Sequence, residues 1–213
     1  MANYKNAGIN VRGFICDITN EASVVNMVAE IARELGPVDI LVNNAGIIKR
    51  GPTHEMSVED FRQVIDVDLT SQFIVSKAVI PSMIERGGGK IINTGSVLSE
   101  IGRDGVAAYN SAKGGLKLLT RSLSAEYGGR NIQVNAIGPG FIETELTEAI
   151  RAPQADGTPH PLFTMVINKT PAARWGTPED IAGPALFLAS SAADYVNGHM
   201  LYVDGGLTTA FGK

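Results

Sequence analysis

Tyr109 and Lys113 stand four residues apart in the stretch YNSAK, and Ser96 ends an apolar run shortly before them. On a helix, that spacing puts a phenol and an ammonium on one face. A nearby positive charge favours phenolate, so the pair predicts a tyrosine pKa below its reference of ~10. A phenol tuned toward neutrality can exchange a proton with a carbonyl or alcohol oxygen. A hydroxyl such as Ser96 can donate a second hydrogen bond to the same oxygen. The three groups together describe the interconversion of a ketone and an alcohol. Tyr and Lys at this spacing also occur on ordinary solvated helix faces, so the pair alone specifies little. Ser96 at a strand end, together with the Asn43-Asn44-Ala45-Gly46 turn after another apolar run, makes the set specific.

These residues need a frame to hold them. Short apolar runs at 11–16, 38–42, 90–94, 132–137 and 200–203 read as buried strands. Helices are expected between them. One is capped by Thr19 or Asn20 and stopped by Gly36-Pro37. The next runs over about 57–85 from the capping-box-like Ser57-Val58-Glu59-Asp60, broken or bent just before 68–71, and Gly87-Gly88-Gly89 ends it. Another carries Tyr109 and Lys113. A last one starts at Thr177-Pro178-Glu179-Asp180. Leu116, Leu118, Leu119 and Leu123 fit either packing on the sheet or an interface with another copy. Alternating strands and helices imply an α/β fold, a doubly wound parallel sheet with helices on both faces. Ligands of such sheets lie beyond the carboxyl ends of the strands, where Asp17, Asn43, Ser96 and Pro139-Gly140 fall. Residues 145–170 are long, Pro-rich and irregular, as a substrate lid would be.

Composition narrows the class. The 213 residues suit one domain, spanning 1–213, with 44% hydrophobic and 19% charged residues. A net charge of −4 gives no basic footprint for nucleic acid. The lone Cys16 excludes an intrachain disulfide and reads as a small buried apolar residue in a strand. No apolar run is long enough for a membrane span, and the first residues lack a signal-peptide core, so the expectation is a soluble cytoplasmic protein. No metal site is expected. The 24 glycines suit tight strand-to-helix turns.

NNAG at 43–46, Ser96, YNSAK at 109–113, NAIGPGFIET at 135–144 and YVDGG at 202–206 occur in this order. In these motifs the chain resembles the short-chain dehydrogenase/reductase family, over nearly its whole length from Asn10 to Gly206. The resemblance implies a Rossmann-like fold with NAD or NADP as cofactor. It makes Tyr109 the general acid/base, Lys113 the residue that lowers its pKa and binds ribose, and Ser96 the residue that orients the substrate oxygen. It assigns cofactor contacts to Asp17, Asn43, Ala45, Gly46, Pro139, Gly140, Ile142 and Thr144. A helix cap is the alternative for Asp17, and a structural turn for Asn44, Ala45 and Gly46. The family's fourth catalytic position, usually Asn, is Asp68 here. Its main-chain carbonyl could still hold the water linked to Lys113, and its carboxylate would stabilise that ammonium.

One part of the family pattern is missing. No Gly-rich loop follows a first strand, so the fold is expected to lack the first two strands and the turn that cradles the pyrophosphate. In the family's strand order, 3-2-1-4-5-6-7, those strands would lie between 11–16 and 38–42. Residues 11–16 must then cross over to pair with 38–42 or stay without a ladder. A truncated, catalytically silent member serving as a structural or assembly subunit is the competing expectation. NAD versus NADP is decided at the end of the absent second strand.

The stretches TPAARWGTPEDIAGPALFLAS at 170–190 and NGHMLYVDGG at 197–206 resemble the family's sugar-acid branch, the gluconate 5-dehydrogenases in particular. The substrate expected is a small sugar acid of the D-gluconate and 5-keto-D-gluconate kind. Arg50, just past NNAG, could hold its carboxylate in a bidentate fork. Arg103, Arg151 and His160 are further candidates, and a solvated surface charge is the alternative for each. Relatives of this kind are usually tetramers, joined through the helices at 57–85 and 107–127 and the last strand region.

Overall fold

Four parallel strands form the centre of the computed structural model, which describes residues 8–209. They are β1 (Ile40–Asn43), β2 (Gly89–Thr94), β3 (Ile132–Pro139) and β4 (Met200–Val203), side by side in chain order. Ile91 pairs with Leu41 on one flank and Val134 on the other, and Ile137 pairs with Leu201. Parallel neighbours require crossovers, and helices make them. In chain order the helices are α1 (Glu21–Leu35), α2 (Val58–Ile65), α3 (Ser71–Arg86), α4 (Ala107–Tyr127), α5 (Glu148–Arg151), α6 (Pro161–Lys169) and α7 (Pro178–Ala189).

Successive β2 side chains go to opposite layers, as the pleat demands. Ile91 packs with Val79 and Met83 of α3, Leu123 of α4 and Val134 of β3. Ile92 packs on the other face with Ile137 and with Leu188 of α7. The doubly wound arrangement read from the sequence is therefore present. Leu116 and Leu123 of α4 are buried, Leu119 packs on the core, and Leu118 is exposed. Ile91 is fully buried, so Ile91→Ala is expected to cost about 2–5 kcal/mol of unfolding free energy. Denaturant melts measure this, and a loss below about 1 kcal/mol would mean that the layer is not close-packed.

Helix starts follow the local chemistry. Asn20 accepts from the Ser23 N–H at 2.9 Å, Ser57 from Asp60 at 3.0 Å, and Asp180 from Thr177 at 2.8 Å. The helix expected to be broken or bent just before 68–71 is interrupted there by a π-turn at Asp66–Thr70, through which α2 continues into α3. The Ser71 N–H donates to the Asp66 carbonyl, one residue further back than in an α-helix. The Ser71 hydroxyl takes up the freed Val67 carbonyl at 2.6 Å.

Residues 11–16 do not form the expected strand. No strand among the described residues pairs with the outer edge of β1, so this segment stays without a ladder and that edge is open. It runs beside α1, with Arg12 at 3.7 Å from Glu34 and Cys16 Sγ at 3.3 Å from Ser23 Oγ. Ile15 is fully solvent-exposed and Cys16 only half-buried, so the expected buried-strand cysteine is also corrected. Ile40 and Val42 of β1 are exposed. Among the described residues, no glycine-rich turn joins a strand to a helix ahead of β1.

The section from 145 to 170 is more regular than its composition suggests. Pro161 opens α6, capped by His160 Nδ1 accepting from the Leu162 N–H at 3.1 Å. Ile150 and Val166 pack around Trp175 with Phe141 and Phe163. The Trp175 ring meets Phe141 edge-on at 5.4 Å and stacks on Phe163 at 5.6 Å. No described helix is long and apolar enough to cross a membrane.

Candidate active site

Strand β2 delivers Ser96 to the rim of the sheet. Its backbone passes close to β3, the Gly95 N–H donating to the Ile137 carbonyl at 2.7 Å. A Cβ on Gly95 would fall 2.6 Å from the Met200 methyl and 3.2 Å from the Ile137 carbonyl oxygen, so a side chain there would crowd this approach. Ser96 then caps the short turn Val97–Ser99. Its hydroxyl accepts from Leu98 N–H at 3.1 Å, and its own N–H donates to Ser99 Oγ at 3.2 Å. Glu100 ties that turn down by accepting from Tyr202 of β4 at 2.8 Å and pairing with Lys117 of α4.

Helix α4 brings Tyr109 and Lys113 to the same rim on one face, as their spacing predicts. Lys113 is only 3% exposed. Its Nζ donates to the Thr94 carbonyl at 2.9 Å, lies 3.3 Å from Asp68 Oδ2, and sits 5.5 Å from the Tyr109 ring centre. Asp68 comes from the π-turn and is fully buried. Its Oδ1 accepts from the Ile47 N–H at 2.7 Å. Gln72 and Ser76, one and two turns further on, continue the grip. Gln72 donates to the Ala45 carbonyl at 2.9 Å, and Ser76 accepts from Asn43 at 3.1 Å. The helix thus holds the NNAG turn by its alternate residues. Asn43 also donates to Asn93 at 2.9 Å, and Asn93 to Thr120 of α4 at 3.0 Å, so one buried polar chain spans both crossover helices.

The electrostatics differ from the sequence expectation. Burial pushes the Tyr109 phenol up to about 12, and the Asp68 charge adds to the rise. A hydrogen bond from Ser96 and the charge of Arg50 act the other way. The lowering expected at this phenol is not realised, because burial outweighs the groups that favour the phenolate. Burial pushes Lys113 down and Asp68 up, while each one's charge opposes the other's shift. Tyr109 is therefore protonated at neutral pH and is an acid in this state.

Ser96, Tyr109, Lys113, Asp68, Gly46, Arg50, Pro139, Gly140, Ile142 and Thr144 all line one cavity of about 460 Å³, a usual size for a ligand cleft. Three of the expected cofactor contacts lie outside it. Asp17 is exposed and accepts from the Thr19 N–H and hydroxyl at 3.0 and 2.7 Å in a local turn, while the helix cap is Asn20. Asn43 turns its side chain into the buried network, and Ala45 contributes the carbonyl held by Gln72. Asn44 lines the cavity instead, with its Oδ1 accepting from Thr94 at 3.1 Å. Strand alternation at the end of β1 was the signal that could have separated Asn43 from Asn44. Gln72 carried no signal beyond its four-residue spacing from Asp68. Arg103 lines the cavity, but Arg151 binds the Thr144 carbonyl at 3.1 Å and His160 caps α6.

The donor set fits the nicotinamide-ribose end of a dinucleotide: two hydroxyls and an ammonium beside an apolar wall from Pro139 to Ile142. Gly46 leaves that space open, since a Cβ there would fall 3.0 Å from Asp68 Oδ2 and 3.5 Å from Lys113 Nζ.

Known proteins bear on this arrangement. The family described as Enoyl-(Acyl carrier protein) reductase matches residues 3–208. A 2-dehydro-3-deoxy-D-gluconate 5-dehydrogenase of Formosa agariphila is 52% identical over 213 residues, all of this chain and 79% of that protein. A 5-keto-D-gluconate 5-reductase of Escherichia coli is 44% identical over 195 residues, covering 91% of this chain and 74% of its own. The crystal structure of a gluconate 5-dehydrogenase from Burkholderia cenocepacia, in complex with NADP and tartrate, superposes with a TM-score of 0.92 at 39% identity. That superposition covers 98% of this chain and 80% of the other. The matches extend over almost every described residue, and on them the chain belongs to the short-chain dehydrogenase/reductase family of NAD(P)-dependent oxidoreductases.

Proposed function

We propose that this chain interconverts an alcohol and a ketone on a small sugar acid, of the D-gluconate and 5-keto-D-gluconate kind. The observation that carries the reading is the convergence of Ser96, Tyr109 and Lys113 on one cavity at the strand ends. The names of the relatives support the substrate class, since those from Formosa agariphila and Escherichia coli both act at carbon 5 of a gluconate derivative.

NAD or NADP, when bound, accepts or donates the hydride. Asn44, Gly46, Lys113, Pro139, Gly140, Ile142 and Thr144 would hold its nicotinamide end. Ser96 and Tyr109 donate hydrogen bonds to the substrate oxygen. In the reducing direction Tyr109 passes its proton to that oxygen, and Lys113, held by Asp68, steadies the phenolate left behind. In the oxidising direction the phenolate takes the proton from the alcohol. Arg50 holds the carboxylate, and residues 145–170 close over the substrate. Assembly as a homo-oligomer, a tetramer by the family pattern, fits the exposed Phe73 on α3 and Leu118 on α4. Light scattering checks it.

The direction of the Tyr109 shift sets the pH dependence. A phenol pushed up to about 12 stays protonated through neutrality, so reduction should be flat from about pH 6 to 9. Oxidation needs the phenolate and should climb about tenfold per pH unit over that range. An oxidation rate that levels off near pH 7 would overturn the raised pKa of the Tyr109 phenol.

Turnover of D-gluconate with NAD or NADP, followed by nicotinamide absorbance, tests the reading. A chain that binds cofactor yet leaves gluconate and its 5-keto form untouched would overturn it. The second reading is a silent structural or assembly subunit. It is favoured by one observation: among the described residues no glycine-rich turn stands ahead of β1 to cradle a pyrophosphate. Fluorescence titration with NADPH separates the two, because the silent subunit would show no saturable binding.

A further inference from the structure

Arg50 and Arg103 line the same cavity as Ser96 and Tyr109. Their loops are clipped to one another, the Gly51 N–H donating to the Gly105 carbonyl at 3.0 Å. Asn110, next to Tyr109 on α4, donates to the Arg103 carbonyl at 3.2 Å. The two guanidinium-bearing loops and the helix with the reactive phenol are thus one framework. Among the described residues no carboxylate lies within salt-bridge distance of either guanidinium. Arg103 is half-buried, and its pKa is pushed down by that burial and by the Arg50 charge, with Asp104 only partly offsetting them. Two like charges held together in a cleft, with no carboxylate in salt-bridge contact, are unfavourable until an anion joins them. A carboxylate between two planar forks satisfies both.

We propose that Arg103 completes, with Arg50, a two-guanidinium clamp on the carboxylate of the substrate and is a specificity-determining residue of this site. The proposal rests on the sugar-acid reading above and adds the second arm. Arg50 reaches both partners electrostatically, since its charge is felt at Tyr109 as well as at Arg103. The clamp therefore fixes the acid end of the substrate relative to the reacting oxygen, and a neutral polyol of the same length lacks the group that registers it.

Isothermal titration tests this without requiring turnover. D-gluconate and the neutral hexitol sorbitol are titrated into the 213-residue chain with NADP present, then into Arg103→Gln, Arg103→Lys and Arg50→Gln. Thermal melts confirm that each variant is folded. Arg103→Gln is expected to weaken gluconate binding about tenfold or more and leave sorbitol within about twofold. Arg103→Lys, which keeps the charge but not the fork, should fall between. If Arg103→Gln binds gluconate like the wild type while Arg50→Gln does not, the clamp is overturned and the sugar-acid reading stands. If the wild type binds gluconate no better than sorbitol, or binds neither, both are overturned.

Discussion

Tyr109→Phe is expected to lower turnover of the sugar acid by about 10²–10⁴-fold at neutral pH, the range for loss of a positioned acid/base. Tyr109 packs against two apolar clusters, Val64, Ala108 and Ala112 on one side and Val97, Leu98 and Val106 on the other, and phenylalanine keeps that packing. Melting temperature and NADPH affinity should therefore stay close to wild type, which separates lost chemistry from lost structure. The residual rate should also lose its rise with pH in the oxidising direction, because the titrating phenol is gone. Steady-state rates from pH 6 to 10 measure both effects. Turnover undiminished by this substitution would remove Tyr109 from the reaction and the proposed mechanism with it.

The other large effect falls on stability. Asp68 and Lys113 form an ion pair with almost no solvent contact, at 3.3 Å. Lys113→Met leaves the Asp68 carboxylate buried without its counter-ion and is expected to cost about 3–5 kcal/mol. Asp68→Leu removes the acceptor of the Ile47 N–H as well as the charge and should cost a similar amount. The double substitution should be much milder than the sum of the two, because no unpaired charge remains. Chemical denaturation of the four proteins gives the coupling directly. Additive losses would mean that the two groups do not interact. Asp68→Asn keeps an acceptor for Ile47 at reduced charge and should lie between wild type and Asp68→Leu.

The features legible in the sequence are those set by neighbours along the chain. Strand β4 at 200–203, the Thr177-Pro178 helix start and the Tyr109–Lys113 face all follow from spacing and capping chemistry within a few residues. What escaped depends on residues distant in sequence. Residues 11–16 have the composition of a strand, yet they run beside α1 and leave the edge of β1 open, a choice that composition does not encode. The interruption near 68–71 was legible, but the π-turn at Asp66–Thr70 sets Asp68 against Ile47 as well as Lys113, and no local pattern announces the Ile47 contact. The expected drop in the Tyr109 pKa assumed a solvated phenol; the fold buries it. Arg151 and His160 looked available for a ligand, but their backbone partners lie nearby in the chain.

The sequence holds a single tryptophan, Trp175. Its indole lies between Phe141 and Phe163 and shares a cluster with Ile150. Phe141 and Ile150 also line the cavity. The protein thus carries an optical gauge of its own cleft: excitation of the indole reports on one site only, with no label. A ligand that shifts Phe141 or Ile150 changes the polarity and quenching around that ring. Rapid-mixing fluorescence would then time substrate arrival separately from the chemical step, which nicotinamide absorbance follows on its own wavelength.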